Sequence, residues 1–448
     1  MHRFRALWVG LLAALGLLAA SRAFAPYANV KPILVQDRDQ LPAELTNADE
    51  AKWLAWTRQQ DKAIRARLEQ GELDSTVNLL LYGTSFTKQQ RITMERITEA
   101  SKSGVLRARV DDLVTGLSAP GDNERLIFVQ RLLRDKGVDP SEDPKTTGVF
   151  LLQNLQRVVQ ERITLENTAH PKEGDPLDRS SLFRDRGLSL DTGIIPDFSI
   201  EQTLRDLKQR GVLREGQVAR VAVIGPGLDF IDKNEESAYD YYPQQTLQPF
   251  ALYDSLIRLK LAKADSVRMS IFDISPRVIE HIQHARDRAR KGIGYAIQLP
   301  RDIARPWPKE LLGYWNALGD QVGVASPPIR PPAIFQGLET RAVLIRPAVV
   351  LSCEPVDLNI VLERLNLAAA DQFDLIVGTN IFVYYDPFEQ SLALENAGAM
   401  LKPGELLLTN DRLPEVSGGS MHLAGTTVVP YDAPGVSARQ AVGWYQKQ

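Results

Sequence analysis

Residues 221–232 read VAVIGPGLDFID, an apolar run that closes on two glycines one residue apart with an aspartate behind them. The pattern predicts a buried strand ending in a sharp turn, where Gly225 and Gly227 let backbone amides approach a ligand and Asp229 can accept hydrogen bonds from an ammonium group. A tight turn without a ligand has the same local signature, so the rest of the chain has to decide. From about residue 199 helical and strand patterns alternate, which predicts an α/β sheet. Residues 201–213, 255–264, 275–292 and 388–404 read as helices. Residues 219–225, 266–273, 348–357, 373–378 and 405–410 read as five strands, and 421–431 with 438–448 as a terminal hairpin.

Ligands of open α/β sheets lie beyond the carboxyl ends of the strands, where strand order switches. The second strand ends in Asp273, suited to gripping two ribose hydroxyls, although an aspartate there also serves as a helix cap. The third ends in Asp357, Leu358 and Asn359, beside an adenine edge in such an arrangement. The fourth runs into Gly378, Thr379 and Asn380, with Tyr384 and Tyr385 close behind. Four such ends in succession predict a nucleotide-type ligand. A dinucleotide fold would carry a third glycine and an acid about 20 residues on. Here that glycine is missing and Asp273 comes more than twice as far along, so a dinucleotide-dependent enzyme is the weaker reading.

Residues 373–411, FDLIVGTNIFVYYDPFEQSLALENAGAMLKPGELLLTND, resemble motifs of class I S-adenosylmethionine-dependent methyltransferases, and especially the glutamate methyltransferases of chemotaxis receptors. VAVIGPG, FDISPRVIEHI and VVLSCEPVDLNI fall where that family has its other cofactor motifs. The resemblance covers about residues 215–448. It implies a Rossmann-like doubly wound sheet with a C-terminal antiparallel hairpin and S-adenosylmethionine as cofactor. It further implies that Gly225 and Gly227 line the methionine portion, Asp273 holds the ribose, and Asp357 with Leu358 borders the adenine. Asn380 would touch the cofactor near the reacting centre, and Tyr384 would lie beside the methyl group. Two departures bear on the acceptor and the turn: Thr379 stands where the chemotaxis subgroup usually has arginine, and Glu405 replaces the second glycine of the Lys-Pro-Gly-Gly turn. The methyl acceptor is unassigned, and a non-catalytic descendant used as a binding or scaffold module is the alternative.

The N-terminus raises a different question. Arg3 and Arg5 precede an apolar run over residues 6–20, and SRAFA follows. This predicts a signal peptide or membrane anchor over residues 1–25, with Ala23 and Ala25 as the cleavage motif, or cleavage after Ser21. The body would then be exported, periplasmic or held on the outer face of the inner membrane. Methyl donor is made in the cytoplasm, so the two expectations conflict unless the segment does not export the chain. Residues 26–170 read as a separate irregular helical domain, 171–198 as a linker, and 199–448 as the α/β domain, with insertions near 230–250 and 293–342. The first stretch of that helical domain, 26–42, reads as a loop, and Asn47 with Glu50 as a capping pair. Within the domain, NLLLYGTSFT (78–87) could hold an anion or simply stop one helix and cap the next.

A net charge of −3 gives no reason to expect nucleic acid as a partner. Cys353 is the only cysteine, so no intrachain disulfide forms, and it reads as a small buried hydrophobe. His281 and His284 share a helix face without a third ligand at metal spacing, so no metal is expected and both read as surface residues. Tyr239, Tyr241 and Tyr242 read as a lid or a loop anchor, and Trp307 and Trp315 as packing residues.

Overall fold

The computed structural model describes residues 21–36, 38, 41–168, 193–229, 239–333, 335, 337–431 and 438–448. The apolar run at residues 6–20, most of the expected linker and the first part of the expected 230–250 insertion lie outside them.

A short strand, β1 (Arg22–Phe24), leads into helix α1 (Tyr27–Gln36) and the 33-residue helix α2 (Glu50–Tyr82). Helices α3 (Ile97–Lys102), α4 (Val105–Ser118), α5 (Glu124–Asp135) and α6 (Pro144–Thr168) follow. The second half starts with α7 (Ile194–Gln209), β2 (Arg220–Ile224), α8 (Gln248–Arg258), β3 (Arg268–Asp273) and α9 (Pro276–Arg290). An insertion folds as β4 (Tyr295–Asp302), α10 (Lys309–Ala317), β5 (Gly323–Ser326) and β6 (Leu338–Ile345). Next come α11 (Pro347–Leu351), β7 (Cys353–Asp357), β8 (Glu363–Leu365) and β9 (Phe373–Gly378). The chain closes with α12 (Pro387–Met400), β10 (Leu401–Thr409), β11 (Met421–Pro430) and β12 (Arg439–Lys447).

The main sheet has seven strands in the order β11-β12-β10-β9-β2-β3-β7. Strands β10, β9, β2, β3 and β7 are parallel, whereas β12 and β11 form the antiparallel terminal hairpin. From β2 the chain builds outward through β3 to β7, then returns to build β9 and β10 on the other side. The strand order therefore switches between β2 and β9, the site where such doubly wound sheets bind ligands. Both faces are covered, so the strands are apolar throughout: Val221 and Val223 face one core, Ala222 and Ile224 the other.

The helical region is not walled off from the sheet. Trp53, Trp56, Ile64 and Leu68 of α2 share a core with Ile224, Phe272 and Leu358, while Val77 to Tyr82 of the same helix belong to a core of α4, α5 and α6. At about 1.5 Å per residue α2 is about 50 Å long, enough to bridge both. Three local expectations also change. The stretch 26–42 is not all loop, because burial of Val30, Ile33 and Leu34 holds α1 together despite Pro32. Asp49, not Asn47, caps α2 through its bond from the Lys52 amide (2.8 Å), while Asn47 takes a left-handed turn (φ 55°). Helix α7 begins at Ile194 inside the expected linker, since Pro196 is tolerated in a first turn.

The expected third strand divides in the same way. Pro347 starts the short helix α11, and pairing with β3 begins only at Cys353. The insertion expected at 293–342 carries its own antiparallel sheet, ordered β4-β6-β5, with Trp315 buried in the core it shares with the main sheet.

Candidate functional site

Strand register brings the sequence-selected residues level. Ile224 lies opposite Phe272 on one side and Gly378 on the other, and Asp273 lies opposite Asp357. Gly225, Asp273, Asp357 and Thr379 therefore form one row across the carboxyl edge of the sheet. Gly225 and Gly227 both have positive φ (59° and 71°), which only glycine adopts without strain.

Asp273 is the buried acid of this row. Its Oδ1 accepts the Ser275 amide at 2.8 Å, which fixes the turn into α9, and its Oδ2 has no hydrogen-bond partner among the described residues. One oxygen thus caps the turn while the other is left over. Burial raises its pKa to about 7; the amides of Ser275 and Ile274 oppose the rise and Asp357 adds to it. An orphaned acceptor buried at the carboxyl end of the strand next to the switch point fits the hydroxyls of a ribose.

Next to it Asp357, the expected adenine border, is already engaged. Arg65 of α2 reaches the Asp357 carboxylate (2.8 Å) and the Ile274 carbonyl (3.3 Å), and Arg22 of β1 reaches the other Asp357 oxygen (3.1 Å). Burial works against the Arg65 charge, but bonds and fields from Asp357 and Asp61 hold its pKa above the usual value. Asp61, one turn earlier on α2, accepts from the Asn359 amide group at 2.8 Å. Leu358 is buried, and its amide donates to the Asp273 carbonyl (3.1 Å), so that amide is used within the fold.

On the other side of Asp273, Ile381 fills the space above the first glycine: a Cβ on Gly225 would lie 2.1 Å from Ile381 Cδ1. The expected ammonium acceptor, Asp229, is instead bonded by the Tyr242 hydroxyl at 2.7 Å, with Arg125 of α5 at 4.0 Å. Arg125 is buried and also donates to the Tyr242 carbonyl, which ties the loop after β2 to the helical region. The Gly-Thr-Ser turn does hold an anion, but it is a side chain of the same protein. The Thr84 and Ser85 amides and the Thr84 hydroxyl (2.6 Å) all bond the Asp240 carboxylate.

Asn380 has a left-handed backbone (φ 58°) and is exposed. It exchanges two bonds with Asn410, at 2.7 and 2.6 Å. Tyr384 is half-buried, its carbonyl accepts from Arg67 of α2, and the Arg67 guanidinium lies 5.9 Å from the ring of buried Tyr385.

The remaining candidates resolve as packing. Burial pushes the Cys353 thiol up to about 12, which leaves it inert. His281 is not a surface residue: it is half-buried against the Tyr295 hydroxyl (2.8 Å), and burial pushes its pKa down to about 4. Only His284 is exposed. Tyr239 and Tyr241 pack on Phe335, with Arg91 over Phe335 at 4.7 Å. Arg301 lies 5.6 Å from the rings of both Trp307 and Trp315. Sequence reasoning missed Arg22, Asp61, Arg65, Arg67 and Asn410. On α2 the spacing of Asp61 and Arg65 reads as an ordinary surface pair.

No protein-family model matches the chain, and neither does any curated protein. Among solved structures the chain is similar to the N-methyltransferase NodS from Bradyrhizobium japonicum WM9, over 56% of this chain and 98% of that one, at 13% identity and a TM-score of 0.26. It is similar to magnesium protoporphyrin IX methyltransferase (ChlM) from Synechocystis PCC 6803 with bound SAM over 61% and 100% of the two chains, at 10% identity and a TM-score of 0.26. The glycopeptide N-methyltransferase MtfA complexed with S-adenosylmethionine matches over 58% and 96%, at 10% identity and a TM-score of 0.25. These three solved structures are methyltransferases, while the architecture of the chain rests on its strand order and register.

Proposed function

We propose that the chain is an S-adenosylmethionine-dependent methyltransferase with an unassigned acceptor. The observation that carries this reading is the Asp273 carboxylate, buried at the carboxyl end of β3, one strand from the switch of strand order, with Oδ2 unpartnered among the described residues. Ionised, Asp273 accepts the two ribose hydroxyls. Gly225, whose own amide donates to the Phe272 carbonyl (2.8 Å), makes the turn that brings Gly227 close to the methionine portion, and Asp357 borders the adenine. Asn380, steadied by Asn410, touches the cofactor near the reacting centre, and Tyr384 lies beside the methyl group. The bound cofactor supplies a methyl group already activated as a sulfonium, so the protein's work is positioning and exclusion of water.

Thr379 bears on the acceptor class. Its hydroxyl accepts from Gln248 at 2.7 Å in a buried position. Thr379 is uncharged where a cation could pair with a carboxylate, which weighs against glutamate as the acceptor. The alternative, a non-catalytic binding module, draws support from the engaged rim, where Arg65 holds Asp357 and Tyr242 holds Asp229.

Photocrosslinking of methyl-labelled S-adenosylmethionine to the full chain tests the site. Label is expected in peptides containing residues 221–229, 273 or 380–384, displaced by S-adenosylhomocysteine and not by NAD. Label elsewhere, or label displaced only by NAD, would overturn the assignment.

A further inference from the structure

Two carboxylates stand side by side at the carboxyl edge of the sheet. Asp273 and Asp357 are in register on the neighbouring parallel strands β3 and β7, so their side chains leave the sheet on the same face. Such strands lie about 4.8 Å apart, and like charges that close oppose each other's ionisation. Yet Asp273 has to be charged to accept two ribose hydroxyls.

Two arginines from outside the main sheet meet this difficulty. Arg65 of α2 pairs with Asp357 Oδ1 at 2.8 Å and Arg22 of β1 with Oδ2 at 3.1 Å, so each oxygen faces a guanidinium. Both cations are held in place. Arg65 also donates to the carbonyl of Ile274 (3.3 Å), the residue after Asp273, and pairs with Asp61 one turn earlier (3.1 Å). Arg22 donates to the Asp357 carbonyl (2.8 Å) and pairs with the buried Glu363 of β8 (3.1 Å). The elements that carry them are anchored too: β1 pairs antiparallel with β8, and Ile64 and Leu68 root α2 in the core it shares with the sheet.

The other charged groups around Asp273 are engaged elsewhere. Arg277, in the first turn of α9, favours the charged form of Asp273, but it also acts on Glu72 of α2 and lies 4.0 Å from the ring of Phe128. Tyr385, beyond β9, feels the Asp273 charge, and Arg67 of α2 lies over its ring. Burial is the first obstacle to a charge on Asp273, and Asp357 is the acid that adds to it.

We propose that Arg65 and Arg22 are positioning residues of the donor site: clamped on Asp357, they offset its charge and so allow Asp273 to ionise and receive the ribose hydroxyls. They act through Asp357 and touch no reacting atom. The inference rests on the reading of Asp273 as the ribose acceptor. It makes the engaged rim, together with β1 and α2, part of the binding machinery.

S-adenosylhomocysteine binding to the full chain, titrated calorimetrically across about pH 5.5 to 9, tests this. Arg65→Ala should move the midpoint of the affinity profile upward by about half a unit to one unit, and Arg22→Ala should move it the same way. Arg65→Lys keeps the charge and should restore the midpoint. Asp357→Asn added to Arg65→Ala removes the uncompensated acid and should restore it as well. Equal weakening at every pH, or a midpoint that Asp357→Asn fails to restore, would mark the arginines as structural braces and overturn the proposal. Lack of binding by the wild-type chain would strike the donor reading, and the charge relation is then read without donor. Stability that falls with rising pH should level off near pH 7, where Asp273 titrates. Arg65→Ala should carry that point higher and Asp273→Asn should abolish it; a point that Arg65→Ala leaves unmoved overturns the proposal.

Discussion

Asp273 couples the candidate site to pH. Its pKa is raised from 3.8 to about 7, so the folded protein without cofactor binds a proton there that the unfolded chain releases. The group's contribution to stability is complete below about pH 4 and is lost as pH rises towards 7. Donor binding has the opposite dependence, because the carboxylate accepts both ribose hydroxyls. Affinity measured at pH 6 should be about tenfold weaker than at pH 8, and Asp273→Asn should flatten the profile. A wild-type profile that is level across this range would remove Asp273 from the cofactor.

At the scale of elements, two joints support the site. Arg125 ties α5 to the loop after β2, and Arg125→Ala leaves buried carbonyls without a donor. It should cost about 1–3 kcal/mol in denaturant unfolding; an unchanged midpoint would show that the loop holds itself. In the terminal hairpin, a Cβ on Gly425 would come 2.3 Å from the ring of Trp444. Gly425→Ala should therefore destabilise the protein by about 1–3 kcal/mol through overpacking, read as a lowered Tm.

Elements also show what was legible in the sequence. The strand ends Gly225, Asp273, Asp357 and Asn380 could be found because each is set by local pattern, an apolar run followed by a turn residue. The cover over them could not. Asp61 and Arg65 are four residues apart on a helix, a spacing that describes a solvated pair equally well, and only the tertiary approach of α2 brings them to Asn359 and Asp357. The same limit hid α1, whose Pro32 argues for a loop until burial against the sheet is known, and α11, whose valines suit a strand until Pro347 is seen to start a helix.

Over the whole molecule, α2 joins two cores that the sequence suggests are separate. The chain should consequently unfold in one cooperative transition in which calorimetric and van't Hoff enthalpies agree. Two resolved transitions would show that the helical core folds alone. A ligand bound at the strand ends would stabilise that single transition as a whole, by about 2.7 kcal/mol at a concentration 100 times its Kd.

Calorimetric titration of the full chain with S-adenosylmethionine and with S-adenosylhomocysteine, beside an Asp273→Ala variant, measures whether the strand-end row binds methyl donor through Asp273. Saturable one-site binding of both compounds is expected, weakened roughly 10- to 150-fold by the substitution, as for loss of a charged hydrogen-bond acceptor worth about 1.5–3 kcal/mol. Absence of binding to either compound, or equal binding by the variant, would contradict it and leave the row of strand-end residues as the frame of some other site.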